Sequence, residues 1–354
     1  MSSDAPSVTS AGDLGYLRDD AALKVRNLTV SFRRGQKIFN AVSDVSFDLA
    51  RGETLGLVGE SGSGKTTIGR AILQLVPAHG ADLGGAITYE DDDLATLSRA
   101  QMRLMRRRMQ MIFQDPVSSF NPRRKVVDIV GEGLEIQGMP RDERRRRVDQ
   151  ALADVGLSRA MVEGRRPYQF SGGQCQRLAI ARALALGPDM IVCDEPVASL
   201  DVSVQAHVIN LLQDIRAARN LALIFISHDL AVVRNVSDRV AVLYMGRMVE
   251  IGRADDIYRA PAHPYTRRLL DAIPVPDPAR RIPAGEGGAE PHSQLAPPSG
   301  CRFRLRCPRA DALCAEVEPQ LRPMAQGQYA ACHHPLPELG QGNSSRPAAL
   351  STPA

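Results

Sequence analysis

The sequence predicts an α/β fold built on a mostly parallel sheet, and three observations carry that prediction. Short apolar runs alternate with helical stretches along most of the chain, the pattern of a sheet covered on both faces. One of those runs leads through a glycine-rich loop straight into a helix. Two further runs near the start alternate apolar and polar residues, as a half-buried antiparallel pair does. At 354 residues the chain exceeds what one core usually organises, so a main domain with a small appendage is expected.

In chain order, residues 1–21 are rich in Ser, Asp, Ala and Gly without periodicity and are expected to be unstructured. The main domain spans residues 22–273 and opens with the antiparallel pair, Leu23 to Phe32 and Val42 to Leu49. Thr54 to Val58 is the apolar strand before the loop Gly59 to Gly64, and Lys65 to Leu75 is the helix after it. Met109 to Phe113, Met190 to Cys193, Leu221 to Ile226 and Val240 to Tyr244 are the remaining strands. A helical subdomain is expected over residues 115–170, with helices at Val126 to Gln137 and Asp142 to Gly156. Beyond Pro274 the composition turns to Pro, Gly and Ala, marking a linker over 274–298. A Cys-rich region, 299–334, and an unstructured tail, 335–354, complete the chain, and no internal repeat is present.

Composition narrows the function classes. Hydrophobic residues at 44 % and charged residues at 24 % exclude disorder of the whole chain. The net charge is +4, but acids interleave with the bases, which argues against a nucleic-acid partner. The densest basic runs, Arg106 to Arg108 and Arg144 to Arg147, read as solvated helix faces. No apolar run approaches the roughly 18 residues that a membrane-spanning helix requires, and Met1 to Asp4 is polar. The chain is therefore expected in the cytoplasm, reaching a membrane only through a partner.

The chemistry concentrates at strand ends. Gly59-Glu60-Ser61-Gly62-Ser63-Gly64-Lys65-Thr66 matches the P-loop pattern in its required strand–loop–helix context. Glycines let the backbone curl so that successive amides, with a helix N-terminus behind them, face phosphate oxygens. Lys65 is expected at the β and γ phosphates of ATP, Thr66 at Mg2+ and Thr67 at the α phosphate. The apolar strand Ile191 to Cys193 ends in Asp194 and Glu195, at the sheet edge where α/β proteins place their chemistry. Asp194 fits an Mg2+ partner held through water, and Glu195 fits the group that polarises an attacking water.

Phe170-Ser171-Gly172-Gly173-Gln174 resembles the signature of the ATP-binding cassette (ABC) family. The resemblance implies a P-loop NTPase cassette that dimerises head to tail, with Ser171, Gly172, Gly173 and Gln174 acting across the dimer on ATP held by the other P-loop. By the same resemblance Gln114 senses Mg2+ and the water, Asp201 crosses the dimer interface, His228 contacts the γ phosphate and Phe32 stacks on adenine. Cys175 departs from the family, which commonly carries Gln or Arg there; a small buried thiol is the plain reading. A kinase or GTPase does not fit the signature, and the Asn-Lys-x-Asp motif of a GTPase is missing. A soluble ABC ATPase acting on nucleic acid or ribosomes is a further alternative, though such proteins usually carry a long coiled-coil insertion or two cassettes, and the segment between Gln114 and Ser171 is short and heptad-free.

Ile112 to Pro122, His263-Pro264-Tyr265-Thr266-Arg267 and the tail after Pro297-Pro298-Ser299-Gly300 are similar to the ATPases of oligopeptide and dipeptide permeases. This resemblance covers most of residues 23–334 and implies an importer of di- or oligopeptides; importers of nickel, glutathione or another small solute share the pattern. The partners it implies are a second, paralogous ABC ATPase subunit, two transmembrane permease subunits and an extracytoplasmic solute-binding protein, with no nucleic acid. The implied location is peripheral, on the cytoplasmic face of the inner membrane. Val117 to Asn121 and Val127 to Ile129 are the expected contacts with a permease coupling helix. The tail reads Cys301-x5-Cys307-x6-Cys314-x17-Cys332. Four thiolates suit Zn2+ or an iron–sulfur cluster, and spacing alone does not choose between them. Resemblance to the permease subfamily favours a [4Fe-4S] cluster, with Zn2+ as the alternative.

Overall fold

Two sheets organise the protein, of which the computed structural model describes residues 15–35, 37–76, 80–273, 297–324 and 327–337. Strands β1 (Leu23–Arg34) and β2 (Lys37–Leu49) are antiparallel, paired from Leu23↔Leu49 to Arg34↔Lys37. Their alternation buries Leu23, Val25, Val30, Val45, Phe47 and Leu49. Next come β3 (Thr54–Val58), α1 (Lys65–Ile72), β4 (Ala81–Tyr89) and β5 (Asp92–Asp93). The first sheet has the order β2-β1-β4-β5. β4 is not announced by the sequence: two adjacent glycines, Gly84 and Gly85, interrupt its pattern, and pairing with β1 supplies what propensity does not.

Helix α2 (Arg99–Arg108), capped reciprocally by Ser98 and Gln101, leads into β6 (Met109–Ile112). The expected helical region follows as α3 (Val126–Val130), α4 (Glu132–Ile136), α5 (Arg141–Asp154) and α6 (Arg159–Val162). The stretch predicted as one helix from Val126 to Gln137 is two, broken at Gly131. There a Cβ would lie 3.1 Å from Val148 of α5, so the glycine lets α5 pack close at the break. After α7 (Gly172–Ala185), strand and helix alternate: β7 (Met190–Asp194), α8 (Val202–Arg219), β8 (Ala222–Ile226), α9 (Leu230–Val236) and β9 (Arg239–Tyr244). β10 (Arg247–Arg253), α10 (Ala254–Arg259) and α11 (Pro264–Asp271) close the main domain, and α12 (Ala312–Glu316), β11 (Arg322–Pro323) and β12 (Tyr329–Ala330) belong to the Cys-rich region.

The second sheet runs β11-β12-β10-β9-β3-β8-β7-β6, parallel from β9 to β6. Both its faces are covered: along β7, Met190 and Val192 enter one core while Ile191 and Cys193 enter the other. The parallel pairing brings the carboxyl ends of β3, β6, β7 and β8 to one edge. Among the described residues no helix is long and apolar enough to cross a membrane.

Two boundary expectations are corrected. The unstructured start does not extend to residue 21: Tyr16 packs 4.9 Å from Tyr329 and donates to Ser46 O, and Arg18 pairs with the fully buried Asp48 at 2.6 Å. A tyrosine and an arginine thus anchor a segment whose composition alone reads as disorder. The Cys-rich region is continuous with the main domain, because β12 extends the main sheet through Glu250↔Ala330 and Ile251↔Tyr329. At the start of the expected C-terminal tail, Leu336 N donates to Ala262 O at 2.8 Å. Residues 1–14, the linker up to 296 and residues 338–354 lie outside the described residues.

Candidate active site

The loop after β3 takes its shape from glycines whose neighbours leave no room for a side chain. Gly59 has φ 149° and Gly64 φ 100°; a Cβ would lie 2.1 Å from Leu243 O at the first and 2.6 Å from Ala41 O at the second. These positions admit no other residue without moving backbone. The loop ends at the N-terminus of α1, which leaves unpaired amides and a positive dipole end facing the same space. Lys65 reaches back along the loop, its Nζ donating to Gly59 O at 2.7 Å, Glu60 O at 2.9 Å and Ser63 Oγ at 3.3 Å. Burial holds its pKa below the ordinary lysine value.

The acidic residues at the end of β7 meet this loop. Thr66 Oγ1 donates to Asp194 Oδ1 at 2.7 Å, and burial raises the Asp194 carboxyl above its usual range while the bond from Thr66 opposes the rise. Glu195 leaves the strand with φ 47°, and its N donates to Ile226 O at 3.0 Å, fixing it to the end of β8. A non-glycine residue in the left-handed region stores strain, which the surrounding sheet ends sustain. Gln114 Nε2 donates to Glu195 Oε2 at 2.8 Å, and His228 Nδ1 lies 3.2 Å from Glu195 Oε1. Ser61 to Thr67, Gln114, Glu195 and His228 line one cleft of about 460 Å³. A bed of amides with the Lys65 ammonium therefore faces a carboxylate, a geometry suited to holding a polyphosphate and polarising a water beside it.

Residues 42–198 match the family model described as ABC transporter, and residues 249–314 match that for the oligopeptide/dipeptide transporter C-terminal region. The oligopeptide transport ATP-binding protein OppF of Escherichia coli is 48 % identical over 296 residues, covering 82 % of this chain and 86 % of OppF. A Brucella ovis protein named for peptide import is 50 % identical over 311 residues, covering 88 % of this chain and 96 % of its own length. The chain belongs to the ABC transporter family. It is an ATP-binding and ATP-hydrolysing subunit, with the expected α/β cassette fold. Among solved structures, cbiO1 of Clostridium perfringens superposes with a TM-score of 0.60 at 26 % identity, covering 68 % of this chain and 91 % of cbiO1. The cassette MJ0796, dimeric and bound to ADP and Pi, superposes with 0.59 at 27 % identity over 66 % of this chain and 98 % of its own.

The ABC signature stands apart from this cleft. Ser171 is the exposed N-cap of α7: its Oγ accepts from Gln174 N at 3.3 Å, and Gln174 Oε1 accepts from Ser171 N at 3.0 Å. Gly173 is needed for packing as well, since a Cβ would lie 2.5 Å from Val204 of α8. Asp201 caps α8 without a side-chain bond, leaving its carboxylate uncommitted to the helix. Phe32 lies on β1 and stacks on Phe39 at 5.7 Å between ring centroids. The structure thus brings together the P-loop, Gln114, Asp194, Glu195 and His228, while Phe32, Ser171 to Gln174 and Asp201 lie outside the cleft lining. Cys175 is buried and its thiol points at Pro167 O, 3.6 Å away; burial raises its pKa, as for a packed thiol.

Two residues at the P-loop escaped the sequence analysis. Arg306 grips both Glu60 carboxylate oxygens, at 2.7 and 2.8 Å, and Tyr265 OH accepts from Glu60 N at 2.9 Å. Tyr265 belongs to the His-Pro-Tyr-Thr-Arg motif, which marks the subfamily without announcing this contact. Nothing in the sequence links Arg306 to a residue 246 positions earlier.

The four tail cysteines gather in one region. Cys301, Cys314 and Cys332 are buried and Cys307 is half-buried; each is unpaired with any disulfide. Burial raises all four thiols, Cys332 to about 11, and neighbouring cysteines add to the rise at Cys301, Cys314 and Cys332. Thiols raised in this way stay protonated unless a bound cation replaces the proton. Cys314 also lies within 4.8 Å of Asp311 and His334 ligand atoms.

Proposed function

We propose that the chain powers an ABC importer of di- or oligopeptides from the cytoplasmic face of the inner membrane. The observation that carries the hydrolytic part is the convergence of Thr66–Asp194 and Gln114–Glu195–His228 on the P-loop cleft. In this reading, loop amides from Gly59, Glu60, Ser61, Gly62, Ser63 and Gly64, with Lys65, Thr66 and Thr67, bind the phosphates, and Phe32 stacks on adenine. Glu195, oriented by Gln114 and His228, holds the attacking water and accepts its proton as the γ phosphate departs. Thr66, Asp194 and Gln114 would hold Mg2+, which would supply positive charge beside the phosphate oxygens. Ser171 to Gln174 and Asp201 complete the site across a dimer with a second, paralogous cassette; their separation from the chain's own cleft supports that reading.

The match to the oligopeptide/dipeptide C-terminal region and the peptide-transport names of the relatives support the cargo. Two permease subunits would dock at the exposed residues of Val117 to Asn121 and Val127 to Ile129, of which Phe120 and Ile129 are themselves buried, and an extracytoplasmic solute-binding protein would deliver peptide. Purification of the chain from detergent-solubilised membranes tests this. Recovery with two permeases and a second cassette, with hydrolysis stimulated by peptide-loaded binding protein, is expected; recovery only with nucleic acid or ribosomes overturns it. Stimulation by nickel or glutathione and not by peptide would correct the cargo alone.

Cys301, Cys307, Cys314 and Cys332 are proposed to hold a [4Fe-4S] cluster, which an all-thiolate, largely buried donor set fits. The proximity of Asp311, Cys314 and His334 favours a second reading, a single Zn2+.

A further inference from the structure

The cysteine-bearing segment holds the P-loop directly through Arg306 and, one step removed, through Arg302. Arg306, with only 10 % of its side chain exposed, sets its guanidinium on the Glu60 carboxylate as a two-pronged pair. Tyr244 and Phe303 flank that guanidinium, each ring centroid 5.8 Å away. Four residues earlier, Arg302 donates to Met245 O and to Ser43 Oγ, the latter at 3.0 Å. The adjoining Gly246 N donates to Ser63 O of the P-loop at 3.1 Å. Both arginines lie between Cys301 and Cys307. Glu60 carries a negative charge in a loop that receives a polyanion, and unpaired it would repel the phosphates.

We propose that Arg306 is a positioning residue of the nucleotide site: it neutralises Glu60 and holds the P-loop open to phosphate, so that ATP affinity depends on the cysteine-bearing segment. Because such coupling is reciprocal, nucleotide in turn steadies that segment. The inference rests on the P-loop binding ATP, and wild-type protein that fails to bind MgATP sinks that reading before any variant is compared.

The test is a double-mutant cycle in the full chain, with MgATP affinity by titration calorimetry and KM and kcat by phosphate release. Arg306→Ala weakens ATP binding and raises KM about fivefold or more, with kcat at saturating ATP less affected. Adding Glu60→Gln to that variant restores most of the affinity, because the repelling charge is gone, and added salt shrinks the defect. Arg306→Lys, which keeps the charge without the fork, falls between; it carries the same cycle if Arg306→Ala fails to fold. Wild-type affinity in a folded Arg306→Ala protein overturns the proposal. So does a double variant as weak as Arg306→Ala, which would leave Arg306 only a prop for the tail.

Discussion

Gln114 Nε2 donates to Glu195 Oε2 at 2.8 Å, tying the exit of β6 to the end of β7. The bond fixes one carboxylate oxygen while His228 Nδ1 approaches the other at 3.2 Å, so the direction in which Glu195 can hold a water is set by two neighbours. Gln114→Ala should slow phosphate release on the order of a hundredfold while MgATP binding falls by much less, since orientation of the base is lost but Thr66, Asp194 and the phosphate bed remain. Rapid-quench turnover alongside ATP titration checks this, and a large loss of binding with normal turnover would refute it.

Gly64→Ala should destabilise the protein by about 1–3 kcal/mol, because the position needs φ near 100° and a Cβ there presses on a backbone oxygen. Thermal unfolding of variant and parent measures it. An unchanged melting temperature would contradict the close approach to Ala41 O.

His263 gives a signed pH dependence. It is wholly buried and its pKa is pushed down to about 3 from 6.5 by desolvation. Between those values the unfolded chain binds a proton that the folded chain refuses, so this residue costs stability as pH falls below about 6.5, at up to about 1.4 kcal/mol per pH unit. Buried Glu250, whose carboxylate accepts from Ala262 N and His263 N, has a raised pKa and works in the opposite direction on acidification. His263→Asn keeps an acceptor for Tyr265 N and removes the titration. Denaturant midpoints between pH 7 and pH 5 should therefore fall less steeply in that variant; equal slopes would contradict the assignment.

Protein purified without oxygen should show a broad visible absorption and stoichiometric iron, and Cys307→Ser should lose both. Colourless protein retaining zinc would favour the single-ion reading at Cys314, and neither metal would refute both.

How much of this was legible in the sequence follows from the range of the interactions. The passage from β3 through the loop to α1 is local, and its glycines, apolar run and Lys65 announce it without help from the rest of the chain. Asp194 and Glu195 were legible because a strand end followed by acids has few other uses once a P-loop is present. β4 was hidden because its glycines break the alternation and its partner β1 lies some fifty residues away. Arg306 and Tyr16 were hidden for the same reason: a basic residue beside cysteines and a tyrosine in a polar leader gain meaning only from Glu60 and Tyr329, which the fold delivers to them.

Glu195→Gln tests the account most directly, because it asks whether the carboxylate that Gln114 and His228 orient acts on water and not on nucleotide affinity. ATP binding and phosphate release are to be measured on the same preparation, with Lys65→Ala as the variant that loses binding itself. The account predicts that Glu195→Gln binds ATP as the parent does, stays dimeric with it and releases no phosphate above background. Turnover near that of the parent protein would contradict it.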